Sequence, residues 1–120
     1  MNNYRKDIEE LLLSCYLNQD RTNELDKMEF NHYIIPYELF KATTTNKLIA
    51  KAIFVLQENK IPISEITVIN FIQEKTQINE VEVLQVLGSL WCTFDTFLKY
   101  IQVLKDLDKE FSRKSLLEDL

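Results

Sequence analysis

Between Asn46 and Lys75 the chain reads NKLIAKAIFVLQENKIPISEITVINFIQEK, two apolar helical patterns separated by a short stiff connector. Leu48, Ile49, Ala52, Ile53 and Leu56 recur at helical spacing, so a helix of 3.6 residues per turn gathers them on one side that must be buried. Pro62 has no N–H to donate and pushes Ile61 toward extended geometry, so the first helix is expected to end near Asn59. Ser64 is a good N-cap, and Ile63 and Val68 flank it at the positions of a hydrophobic staple. A second helix then carries Ile66, Val68, Ile69, Phe71 and Ile72. So wide an apolar surface demands neighbours on more than one side, which places the two helices in the middle of a bundle.

Composition agrees with an all-α fold. One glycine and two prolines among 120 residues are too few for the many tight turns of a sandwich or barrel. A single domain of this length buries roughly two-thirds of its unfolded surface around one core, with no metal or disulfide needed to hold it. Nineteen acidic against fourteen basic residues give a net charge of -5, and the scattered Lys and Arg argue against direct nucleic-acid binding. Cys15 and Cys92 lie far apart within apolar patterns and read as two buried thiols in a reducing, cytoplasmic setting. No apolar run approaches the ~20 residues needed to cross a bilayer, and the first residues lack the layout of a signal peptide.

The remaining segments extend the helical pattern on both sides. From Tyr4 to Leu17, Ile8, Leu11, Leu12, Cys15 and Tyr16 share one face, with Arg5, Lys6, Glu9 and Glu10 largely off it. A short helix is expected over Glu24 to Phe30, capped by Asp20 or Thr22. An irregular connector from Asn31 to Pro36 leads to a turn at Tyr37 to Ala42, and one of the three consecutive threonines caps the central helix. Asn79 with Glu82, and Ile78 with Val83, have the spacing of a capping box and staple for another helix, inside which lies Gly88. Either a close helix approach or an early helix end accounts for that glycine. The last pattern runs from Thr93 to about Glu118, with Phe94, Phe97, Ile101, Leu104, Leu107 and Phe111 in one stripe that Tyr100 and Val103 widen. A helix of about 24 residues is about 36 Å long, more than a core of this size needs. The expected layout is therefore a bundle over about 4–75 and a helical hairpin over about 79–118.

Little in the chain suggests catalysis. One glycine cannot build a phosphate-cradling loop, and His32, the only histidine, would need Cys15 or Cys92 beside it to form a nucleophile pair. Glu80, Glu82, Asp106, Asp108 and Glu110 are spaced as a solvated helical face. No cofactor, metal or catalytic site is expected. The aromatics Phe94, Phe97, Tyr100 and Phe111 are core residues by default. A projecting hairpin with so many large apolar groups would instead point to self-association or docking.

The order of these features resembles the N-terminal domain of DnaB-type replicative helicases. The match covers roughly residues 5 to 115, from IEELLLSCYL through AIFVLQENKIPI and SEITVINFIQEK to FLKYIQVLKDLDKEF. Its sharpest part is the hydrophobic pattern around one proline from Ala52 to Ile72. The helicase-binding C-terminal domain of DnaG-type primases resembles the same fold. Ser64 stands where the family often has Asp, and the family's histidine before the central helix has no counterpart. The resemblance implies a non-catalytic collar module at the bacterial replication fork that self-associates through its closing hairpin and binds primase. Its alternatives are the primase side of that contact, or a small phage or plasmid regulator that mimics the collar. By position in the hairpin, the implied protein interface is Trp91, Phe94, Phe97, Tyr100, Val103, Leu107 and Phe111.

Overall fold

The computed structural model describes residues 2–76, 83, 88 and 90–118, with side chains described for 4–76, 83, 88 and 90–109. The described part is all-α, as expected: α1 (Asn2–Leu17), α2 (Glu24–His32), α3 (Thr44–Glu58), α4 (Glu65–Lys75) and α5 (Phe94–Glu118). Short 3-10 turns at Gln19–Arg21 and Tyr37–Leu39 connect α1 to α2 and α2 to α3.

The helix in the middle is α1. Six consecutive residues, Leu12 to Leu17, are buried, which requires cover around the whole circumference of its second half. That cover comes chiefly from α5 and α3. The α3–α4 pair was expected to hold this place, but Ile66 on α4 is 72% exposed and only Val68, Ile69 and Ile72 turn inward. Phe71 packs half-buried at the margin.

A polar residue organises the other end of α1. Glu9 was expected off the buried face, yet it is 0% exposed. A carboxylate taken out of water is costly unless its oxygens are hydrogen-bonded. Here Arg5 Nε donates to it at 2.9 Å, and the backbone N–H groups of Lys41 and Ala42 at 3.1 Å. Asn46 Nδ2, in the first turn of α3, donates at 3.2 Å. The Arg5 fork continues to Leu39 O at 2.6 Å and to Asp108 on α5 at 2.9 Å, and Lys41 Nζ meets the other Asp108 oxygen at 3.2 Å. Asp108, read as part of a solvated acidic face, thus joins α5 to α1. The expected face survives at Asp106, which is exposed and accepts from Gln102.

Local chemistry sets the helix ends. Thr43 caps α3 by accepting from Asn46 N–H, and Asn23, rather than Asp20 or Thr22, caps α2 by accepting from Asp26 N–H. At the far end of α3, Ile61 N–H donates to Leu56 O and Lys60 N–H to Gln57 O, the paired bonds of a Schellman motif. Its left-handed position is filled by Lys60, with φ 58°. Pro62 follows, and Ser64 opens α4 through reciprocal bonds with Thr67, which occupies the third helical position.

The helix expected from Asn79 lies outside the described residues, apart from Val83, Gly88 and Leu90. Val83 is buried. Gly88 has φ +49° and a Cβ there would meet nothing within 4 Å, so backbone conformation and not close helix approach accounts for it. Ser14 Oγ donates to Leu90 O at 2.8 Å, tying this stretch to α1. Phe94, Phe97, Ile101 and Leu104 of α5 then enter the same core as Leu12 and Tyr16. The aromatic stripe of α5 finds its cover on α1 and α2.

Replacing Arg5 with Met leaves the Glu9 carboxylate without its charged partner and should cost about 2–3 kcal/mol in urea unfolding. Lys60→Gly removes a side chain from left-handed backbone and should add about 1 kcal/mol in the same measurement.

Candidate protein-docking surface

The residues expected at an interface do not share one surface. Phe97 is 0% exposed and meets Tyr16 at 5.0 Å and Phe30 at 5.1 Å between ring centroids, both edge-on. Phe94 meets Phe30 edge-on at 5.2 Å and Tyr33 at 5.7 Å. Such edge-to-face pairs add to the area already buried and make this cluster a stabilising centre of the core. Phe97 therefore has no surface to offer a partner, and Phe94 keeps only a narrow edge. Tyr100, Val103 and Leu107 are half-buried against the core. Phe111 lies on α5, with its side chain outside the described residues. Trp91, just before α5, is 49% exposed and remains available, as does Leu98 on α5, which the stripe had not included.

The cluster is closed by polar contacts at its rim. Tyr16 Oη donates to Tyr33 O at 2.7 Å, and burial pushes its phenol well above the usual tyrosine range, with Gln57 acting in the opposite sense. Gln57 Nε2 also donates to Tyr33 O, while its Oε1 accepts from Ile35 N–H. The connector from α2 is thereby held over α3.

Against this centre lies an apolar hollow on α2. Leu25, Met28, Glu29, His32, Tyr33 and Phe94 line it, a shallow and open depression of about 340 Å³. Leu25 is 66% and Met28 56% exposed. Positions 25, 28, 29 and 32 fall on one side of a helix, whereas Phe30, roughly 200° round from Met28, takes the inward side. Since α2 is only nine residues long, burying Phe30 turns the other two apolar residues outward. That opposition was readable in ELDKMEF, but only once Phe30 was known to be the residue that faces in. His32, the only histidine, is exposed in the last turn of α2.

A second hollow, of about 530 Å³, lies between the 37–41 turn and α3, with Tyr37, Phe40 and Leu48 as its apolar lining and Lys41, Lys47 and Lys51 at its edge. The fold thus gathers lysines that look scattered in sequence. Two of their charges are engaged: Lys41 pairs with Asp108, and Lys51 Nζ sits 4.2 Å above the Tyr37 ring. Among the described residues, no group of three or more His, Cys, Asp or Glu side chains is placed to hold a metal ion. No helix there is long and apolar enough to cross a membrane.

Core and surface roles separate by truncation. Phe97→Ala should cost about 3–5 kcal/mol in chemical unfolding, whereas Trp91→Ala should cost under about 1 kcal/mol. In comparisons with known proteins, the chain matches no family model, no curated protein and no solved structure.

Proposed function

We propose that this chain is a non-catalytic assembly module of the replication fork, similar to the N-terminal collar of DnaB-type helicases. In this reading it works in the cytoplasm, associates with copies of itself, and binds a replicative helicase or primase. The observation that carries the docking part is the uncovered apolar hollow on α2. Leu25 and Met28 stand more than half exposed on one helical face, beside the remaining edge of Phe94. Large apolar side chains grouped on one side of a helix mark a partner surface, because isolated ones carry no such cost in shared hydration. The order of helices in the sequence, which resembles the collar family, supplies the identity of the partners.

The length of α5 supports self-association. Twenty-five residues make a helix of about 37 Å, and among its described side chains the buried stripe runs from Phe94 to Leu104. The remaining turns extend past that stripe and can meet a second subunit.

Analytical ultracentrifugation of the protein alone, and titration against a purified replicative helicase and a purified primase, test the reading. Oligomers without a partner and binding to primase are expected. A monomer that binds neither protein removes the reading, and a monomer that binds helicase moves it to the primase side of the contact. Leu25→Asp combined with Met28→Asp should weaken partner binding by roughly 30-fold, about 2 kcal/mol, with helix content by circular dichroism unchanged. Unchanged affinity would remove the α2 hollow as the docking surface.

A further inference from the structure

The two cysteines come from opposite ends of the chain, yet the fold brackets one against the other. On one side of Cys15, Ser14 Oγ donates to Leu90 O at 2.8 Å, and Asn18 Nδ2 reaches the same oxygen at 3.2 Å. On the other side, the Tyr16 ring packs edge-on against Phe97 at 5.0 Å. Cys92 lies in the short stretch between Leu90 and Phe97 and packs against the core that contains Cys15. Both are free thiols, Cys15 fully buried and Cys92 half-buried. Solvent therefore reaches one residue of the pair and not the other.

The electrostatics of the pair have the same polarity. Hydrogen bonding with Cys15 lowers the Cys92 thiol below its ordinary range against the opposing effects of burial and of Asp26. The same bond, with burial, pushes Cys15 far upward. A thiolate is the nucleophilic form of cysteine, so the accessible member is also the reactive one.

We propose that Cys15 and Cys92 form a reversible intramolecular disulfide, made by a hydroperoxide that oxidises Cys92 and resolved by Cys15, which staples the entry of α5 onto α1. In the first step Cys92 sulfur attacks the peroxide, the O–O bond breaks, and Cys92 becomes a sulfenic acid as the hydroperoxide is reduced to an alcohol, or to water for hydrogen peroxide. In the second step Cys15 sulfur attacks Cys92 sulfur. The S–S bond forms, the S–O bond breaks, and hydroxide leaves with the Cys15 proton as water. Two thiols lose two hydrogens while one peroxide is reduced, and a dithiol reverses the bond by exchange. In a reducing compartment, disulfides serve as transient sensors in this way.

Oxidation of the reduced full chain with hydrogen peroxide, followed by peptide mapping and a thermal melt, tests the proposal. A Cys15–Cys92 link within monomers is expected, reversible by dithiothreitol. It should raise Tm by on the order of 10 °C, because the bond closes most of the chain into a loop. Oxidation of Cys92 beyond sulfenic acid while Cys15 stays free, or dimers linked through Cys92, would overturn it. Cys92→Ser, a near-isosteric change at the half-buried position, tests the order of events. Its Cys15 should resist peroxide, and oxidation at the wild-type rate would overturn the assignment of Cys92 as first target.

Discussion

The buried Glu9 carboxylate constrains this fold more than any apolar contact does. Apolar packing between helices tolerates small rotations and slides, because dispersion and hydration have little direction. A carboxylate out of water does not, since each oxygen must find donors at hydrogen-bonding distance. Glu9 takes its donors from α1, from the backbone of residues 41 and 42, and from Asn46. Arg5 then carries the network to Asp108 on α5. One charge thereby sets where the turn after α2 must pass, where α3 must begin and how α5 lies along α1.

The opposite half of α1 is held by aromatic rings. Tyr16, Phe30, Tyr33, Phe94 and Phe97 draw α1, α2, the connector and α5 together through edge-on contacts. This cluster determines the surface as well as the core. Committing Phe30 and Phe97 inward leaves Leu25 and Met28 more than half exposed and Trp91 and Leu98 partly so. The docking surface proposed for the protein is thus a consequence of how its core is filled, and both meet at Phe94.

The cysteine pair follows from the same construction. Cys15 belongs to the part of α1 that is covered on every side, and Cys92 to the stretch that leads into the aromatic cluster. Whatever holds α5 against α1 also holds the two cysteine-bearing segments against one another. A covalent bond between them would therefore reinforce an existing contact without requiring a new one.

Much of the local structure was legible in the residues alone. The helical spacing of Ile49, Ala52, Ile53 and Leu56, the cap at Ser64, the stop before Pro62 and the stripe Phe94, Phe97, Ile101, Leu104 all depend on neighbours within a turn or two. Such interactions are written along the chain. Other features were not legible: that Glu9 is buried while Ile66 is exposed, that three lysines gather around one hollow, and that the stretch holding Cys92 lies against the part of α1 that holds Cys15. Each depends on which faces of distant helices come together, and amphipathic periodicity says that a helix has an inner side without saying what lies against it. Periodicity also ranks a charged residue as outward, an ordering that fails where a fold supplies four donors to one carboxylate. The sequence by itself determined an all-helical chain and most of its helix ends, through short-range sterics and hydrogen bonding. Only the tertiary structure decided which helix is central, which apolar residues remain outside and which distant segments pack together, because burial is a property of the assembled neighbours and not of the residue.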